Sequence, residues 1–151
     1  MRLHIQRVVR AGVSVEGETI AAIHAGMLAL VGFGAGDTKV IVERMLEKLL
    51  ACRLFADEQG KTNLNLAQSG GALLLVPQFT LYADTGRGLR PGYSNAAEPK
   101  LARELFAYTI DLANHLCAAR GIVVQSGEFG AHMLVELVND GPYTLLLDSD
   151  D

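Results

Sequence analysis

LLLVPQFTLYADTGRGLRPGYSNAAEP, residues Leu73 to Pro99, is the stretch from which the rest of the chain is best read. Leu73 to Val76 is a continuous apolar run, the pattern of a buried strand. Pro77 has no backbone N–H, so pairing on that side should weaken there. On an extended backbone, Gln78, Thr80 and Tyr82 would share one face and Phe79 and Leu81 the other. Turn-favouring residues follow: Asp84, Gly86, Gly88, Pro91, Gly92, Ser94 and Asn95. Arg87 and Arg90 lie among them. A polar strand end running into a basic, glycine-rich loop suits a small anionic or hydroxyl-rich ligand. Chemistry alone favours a plainer reading, a strand end and a solvated loop, because the stretch holds no evident nucleophile or base.

At 151 residues the chain is long enough for one domain, 1–151, with a core that needs no staples. Half the residues are apolar and a fifth charged, as in ordinary globular proteins. No apolar run reaches membrane-spanning length, and MRLHIQRVVR lacks the apolar centre of a signal peptide. No membrane association and a cytoplasmic location are therefore the expectation. Cys52 and Cys117 lie far apart within helical patterns, which predicts two free thiols. The net charge of −4 argues against a protein that grips a long nucleic acid. It leaves room for one that holds only the single-stranded end of an RNA.

Working outward, residues 3–10 alternate as a strand. Val13 and Val15, the turn at Gly17 and Thr19 to Ile23 predict a hairpin. Met27 to Val31 reads as a buried strand closed by Gly32, Gly34 and Gly36. Those glycines lack the lysine and hydroxyl of a phosphate loop. Asp37 is placed to cap a helix through Cys52, whose apolar stripe includes Ile41, Met45 and Leu49. Lys39 and Glu43 have the spacing to pair on it. Asn63 to Leu66 reads as a short strand, with a turn from Gln68 to Gly71. Pro99 suits the first turn of a second helix, whose stripe runs through Leu101, Leu105, Tyr108, Leu112 and Leu116 to a stop at Gly121. Residues 122–125, Met133 to Val138 and Tyr143 to Leu147 read as strands, the last two joined at Asn139-Asp140-Gly141-Pro142. The sum is a single α/β domain with a mostly antiparallel, curled or barrel-like sheet and two flanking helices.

Common catalytic constellations are missing. Gly92-Tyr93-Ser94-Asn95-Ala96 lacks the second glycine of a nucleophile elbow. His4, His24, His115 and His132 show no ligand spacing, so neither a metal nor another cofactor is expected. Any hydrolysis must then rest on positioning and on backbone donors.

Four segments, in order, resemble the signature motifs of the D-aminoacyl-tRNA deacylases. They are IQRVVRAGVSVEGE (Ile5 to Glu18), FADEQGKTNLNL (Phe55 to Leu66), PQFTLYADTGRGLRPGYSNAAEP (Pro77 to Pro99) and FGAHMLVELVNDGPYT (Phe129 to Thr144). The resemblance spans nearly the whole chain. It implies a homodimer of compact β-barrel-like domains that hydrolyses the ester of D-aminoacyl-tRNA and of glycyl-tRNA, holding only the acceptor end. Carried over residue by residue, Gln78, Phe79 and Thr80 line the pocket. For such an ester the expected mechanism has N–H groups near Phe79 and Thr80 facing the carbonyl. Thr80 has no adjacent base, which favours a positioning role over a nucleophilic one. Phe79 and Met133 would wall the adenosine, and Arg87 and Arg90 would meet the substrate's charge. Gly141-Pro142, cis in the family, would enter the partner's pocket and exclude an L side chain by collision.

The family pattern SQFTL, RPSF and GPVT reads here with Pro77 for Ser, with Gly92-Tyr93, and with Tyr143 for Val. Pro77 and Tyr143 are also similar to a related L-alanine-removing tRNA deacylase, whereas Phe79 and the Asn139-Asp140-Gly141 lead-in follow the D-specific branch. Two alternatives therefore stand beside the main reading: an L-alanyl-tolerant deacylase of the same fold, and a non-catalytic dimeric module that binds RNA ends.

Overall fold

The computed structural model describes residues 1–86 and 88–150. Its organising strand is β1 (Arg2–Val15). Along one edge, β1 pairs antiparallel first with β3 (Gly26–Gly32) and then with β2 (Glu18–Ile23). The β1–β2 turn is the predicted hairpin, with Glu16 and Gly17 at positive φ of 52° and 87°, the geometry of a two-residue turn that matches strand twist. Along its other edge, β1 pairs antiparallel with β8 (Met133–Asp148) from Arg2 to Val15, with register shifts between Gln6 and Arg10.

The remaining pairings of the main sheet are parallel: β3 with β6 (Ala72–Pro77), and β6 with β7 (Val124–Ser126). Parallel neighbours need long crossovers. α1 (Lys39–Ala51) carries the first and α3 (Pro99–Ala118) the second. A two-stranded ribbon, β4 (Phe55–Ala56) with β5 (Thr62–Leu64), and a one-turn helix, α2 (Leu66–Ser69), complete the first connection. The result is one α/β domain with a nearly closed, curled sheet.

α2 lies where the sequence suggested a strand end and a turn. A reciprocal cap makes it: Asn65 Oδ1 accepts from Gln68 N, and Gln68 Oε1 accepts from Asn65 N, each at 3.0 Å. α1 is capped by Thr38, whose hydroxyl accepts from Ile41 N, and not by Asp37. Asp37 is diverted to the Met1 amino group at 2.6 Å and to Gly34 N at 2.7 Å. Lys39 and Glu43 do not pair directly. Tyr108 of α3 lies between them, under the Lys39 ammonium at 4.8 Å and donating to Glu43 Oε1 at 2.5 Å.

β1 serves two cores. Leu3 and Ile5 face the helices, packing with α1 and α3 side chains such as Leu46, Leu49 and Phe106. Val8, Ala11 and Val13 face the inside of the curl, with Leu28, Leu74 and Val76. Val8 and Ala11 have opposite parity yet share a face. The register shift explains this: Val8 opposes Asn139 and Arg10 opposes Val138, so Val9 is an extra residue in β1.

The same region corrects the reading of the C-terminal segment as two strands. β8 is continuous along β1, but Asn139 opposes Val8 and Thr144 opposes Gln6. Residues 140–143 therefore have no partner and project from the sheet.

Candidate functional site

The apolar run of β6 ends at Pro77 because two pairing directions diverge there. Gln78 N still donates to Val31 O of β3 at 2.8 Å. On the opposite side β7 has already ended, its last ladder partner being Ser126 against Leu75. Leu73 N donates to that side, and Pro77 has the same parity. Its missing N–H thus costs no ladder bond.

Beyond Gln78 the chain does not stay extended. Phe79–Tyr82 forms a 3-10 turn, so the predicted alternation of faces is replaced by a tighter geometry. Gln78 and Thr80 nevertheless meet, with the Gln78 amide nitrogen donating to the Thr80 hydroxyl. The first N–H groups of a helical turn have no partner inside it. Those of Phe79 and Thr80 have no acceptor among the described residues.

Beside this turn lies a cavity of about 670 Å³. Pro77, Gln78 and Phe79 form one wall, Phe129 and Met133 another, and Tyr93, Glu98 and Pro99 the rim toward α3. Val31, Phe33 and Val76 are also part of its lining. Phe79 is 57% exposed and meets Tyr93 edge-on, centroids 5.0 Å apart and planes at 67°. This is a favoured aromatic geometry, and it leaves an apolar, ring-sized surface facing the cavity. Phe129 is held from behind by Arg103, whose guanidinium lies 4.8 Å from its centroid.

Met133 owes its position to Gly127. A Cβ at Gly127 would stand 2.8 Å from the Met133 sulfur, so only glycine lets the thioether lie there. Among the described residues no group of His, Cys, Asp and Glu is arranged to hold a metal ion. No hydroxyl of the cavity wall is hydrogen-bonded to an imidazole or carboxylate. The site offers backbone donors and shape, with the side chains of Gln78, Ser94, Glu98 and His132 also in its lining.

The sequence-derived residues are thus only partly brought together. Pro77, Gln78, Phe79 and Met133 line the same cavity, and the Thr80 hydroxyl meets the Gln78 amide. Arg90 is exposed on the loop, outside the wall. Arg87 lies outside the described residues. Gly141 and Pro142, joined by a cis peptide, are exposed and absent from the cavity wall of their own chain. Tyr93, Gly127 and Phe129 were not singled out from sequence. Tyr93 and Phe129 fall inside the quoted motifs, but nothing local shows that they line one cavity with Phe79 and Met133.

Near the turn, Tyr82 is packed over Gly34, where a Cβ would come within 2.8 Å of the ring. Burial, then the charges of Asp37 and Asp148, push its phenol well above the ordinary range despite the opposing effect of Arg2.

Residues 4–148 match the family model described as D-Tyr-tRNA(Tyr) deacylase. The D-aminoacyl-tRNA deacylase of Shewanella loihica is 52% identical over 95% of this chain and 96% of its own. That of Azotobacter vinelandii is 52% identical over 99% and 100%. A solved structure described as c-Myc DNA Unwinding Element Binding Protein aligns with a TM-score of 0.91 at 34% identity, covering 98% of each chain. That of a probable eukaryotic D-amino acid tRNA deacylase aligns at 0.84 with 15% identity over 97% of each, a likeness of fold.

Proposed function

The chain belongs to the D-Tyr-tRNA(Tyr) deacylase family, and from that membership we propose how its cavity performs the hydrolysis of D-aminoacyl-tRNA. The terminal adenosine lies against Phe79 and Met133. The ester carbonyl oxygen faces the N–H groups of Phe79 and Thr80, which stabilise it as it gains charge. Water adds to the carbonyl carbon with help from the neighbouring ribose hydroxyl. The bond to the ribose oxygen then breaks, releasing the free amino acid and a free tRNA end. Thr80 and Gln78 hold the turn in shape, and Arg87 and Arg90 meet the phosphates. No metal or other cofactor takes part.

The observation that carries this reading is the pair of N–H groups, unpartnered among the described residues, beside a mainly apolar cavity in which no hydroxyl is hydrogen-bonded to an imidazole or carboxylate. An aminoacyl ester is already activated, so positioning and charge stabilisation suffice where a peptide would need more.

Chirality is read by Gly141-Pro142 of a second subunit. Its backbone closes the space that an L side chain would need, while a D side chain points away and glycine, with none, enters. The absence of both residues from their own chain's cavity supports a crossed arrangement. So does β8, which pairs on one edge only among the described residues and leaves Leu134 and Leu146 more than half exposed. Such an edge invites a partner, here a second copy in a two-fold homodimer. The domain is residues 1–151, working in the cytoplasm on the tRNA acceptor end.

The test is deacylation of D-tyrosyl-, L-tyrosyl- and glycyl-tRNA at equal enzyme concentration. Hydrolysis of the D and glycyl esters with the L ester spared is the expected result. Cleavage of L esters, L-alanyl-tRNA included, would replace it with the L-tolerant variant. No turnover by a folded dimer would leave only a module that binds RNA ends.

A further inference from the structure

The loop that carries Gly141 and Pro142 is four residues long, and none of its residues has a ladder partner on β1. A projecting loop is a poor ruler unless its base is rigid, because steric rejection changes over fractions of an ångström. Two devices hold this base. Asn139 Oδ1 accepts from Tyr143 N at 2.6 Å. Its amide nitrogen lies 3.1 Å from Gln6 Oε1, 3.1 Å from Thr144 Oγ1 and 3.3 Å from Tyr143 O. Arg7 is the second device. Its Nη1 donates to Leu54 O at 2.6 Å, and its Nε donates to Asp140 O at 3.0 Å, with Asp140 Oδ2 at 3.2 Å.

The carbon of that guanidinium lies over the Tyr143 ring, 4.9 Å from its centroid. The ring in turn packs on the helix-side core. Gly141 sits close over the same pair: a Cβ there would be 3.2 Å from Arg7 Nη2 and 2.9 Å from Tyr143 N. Tyr143 is therefore a floor between the core and the arginine that fastens the loop. A planar guanidinium stacks on an aromatic face, and a branched aliphatic side chain offers it none.

We propose that Tyr143 is a positioning residue for chiral selection, fixing the Gly141-Pro142 loop through its stack on Arg7. This rests on the reading of Gly141-Pro142 as the selector. Tyr143 touches no reacting atom, so its effect falls on the ratio of L to D cleavage. A ratio is unmoved by the fraction of enzyme that is folded, since unfolded chains cleave neither ester.

The experiment measures kcat/KM for D- and L-tyrosyl-tRNA with the full chain and with Tyr143→Leu, Tyr143→Phe and Pro142→Ala. Tyr143→Leu keeps an apolar side chain and loses the ring under Arg7, and the expected L/D ratio rises about tenfold. Tyr143→Phe keeps the ring and should restore the parental ratio. A parental ratio in Tyr143→Leu with a raised ratio in Pro142→Ala would overturn the proposal and leave the selector standing. Parental ratios in both would remove the selector and the proposal together. An equal rise in Tyr143→Leu and Tyr143→Phe would assign the effect to the phenol and overturn the stack.

Discussion

Arg2 lies across Tyr82 with its guanidinium carbon 4.6 Å from the ring centroid. The same side chain donates to Leu81 O at 2.9 Å and to Asp148 Oδ2 at 2.7 Å. The turn that presents the N–H groups of Phe79 and Thr80 is thereby tied to the first residue of β1 and the last of β8. Those two residues are themselves register partners. Burial raises the Asp148 carboxyl, but the Arg2 hydrogen bond and nearby positive charge outweigh it and leave the group below its ordinary 3.8. A lowered carboxyl contributes stability that is present above the ordinary value and lost as pH falls through the folded-state value. Asp148→Asn should cost about 1 kcal/mol at neutral pH, since Arg2 is a third exposed. The deficit should shrink as pH falls below 3.8. Urea midpoints across that range check this, and parallel curves for the two proteins would contradict it.

Asp37 takes the buried Met1 amino group at 2.6 Å, and both groups are almost wholly out of solvent. Removing one partner of a buried pair strands the other charge, typically at about 3–5 kcal/mol. Asp37→Asn should lower the urea midpoint accordingly with an unchanged slope. A midpoint equal to that of the parent would show the amino group to be otherwise satisfied.

Thr80 receives a proton donor from Gln78 and no base, so its hydroxyl oxygen is made less nucleophilic. Thr80→Val should retain D-tyrosyl-tRNA hydrolysis within about tenfold, as expected of a positioning group, whereas losing a true nucleophile costs orders of magnitude. Single-turnover rates decide, and an acyl group trapped on Thr80 of the parent enzyme would refute the positioning role.

Two glycines should behave oppositely. At Gly127 the obstructing atom is the end of a flexible side chain, Met133 Sδ. Gly127→Ala should displace the thioether and raise KM with little loss of thermal stability. At Gly26 a Cβ would stand 2.0 Å from Ala72 O, in the backbone of the parallel partner. Gly26→Ala should prevent β3 and β6 from pairing and yield little folded protein. Recovery of a soluble Gly26→Ala enzyme with the parental melting temperature would contradict that packing.

Much of this protein was determined by its sequence alone. The stripes of α1 and α3, the apolar run of β6, Pro99 at the start of α3 and the hairpin at Gly17 are local patterns. They act through periods of 3.6 and 2 that a few neighbouring residues carry. The family motifs likewise grouped Pro77, Gln78, Phe79 and Met133, and these four line one cavity. Tertiary structure decided the rest. Thr38 caps α1 because Met1 claims Asp37. Residues 79–82 coil into a 3-10 turn tied down by Arg2. β8 is one strand because β1 lies opposite it, and the same pairing expels residues 140–143. Tyr93, Gly127 and Phe129 join the site, and Tyr143 meets Arg7, across long separations in sequence. Register and side-chain contact are properties of two segments at once, and no single segment carries them.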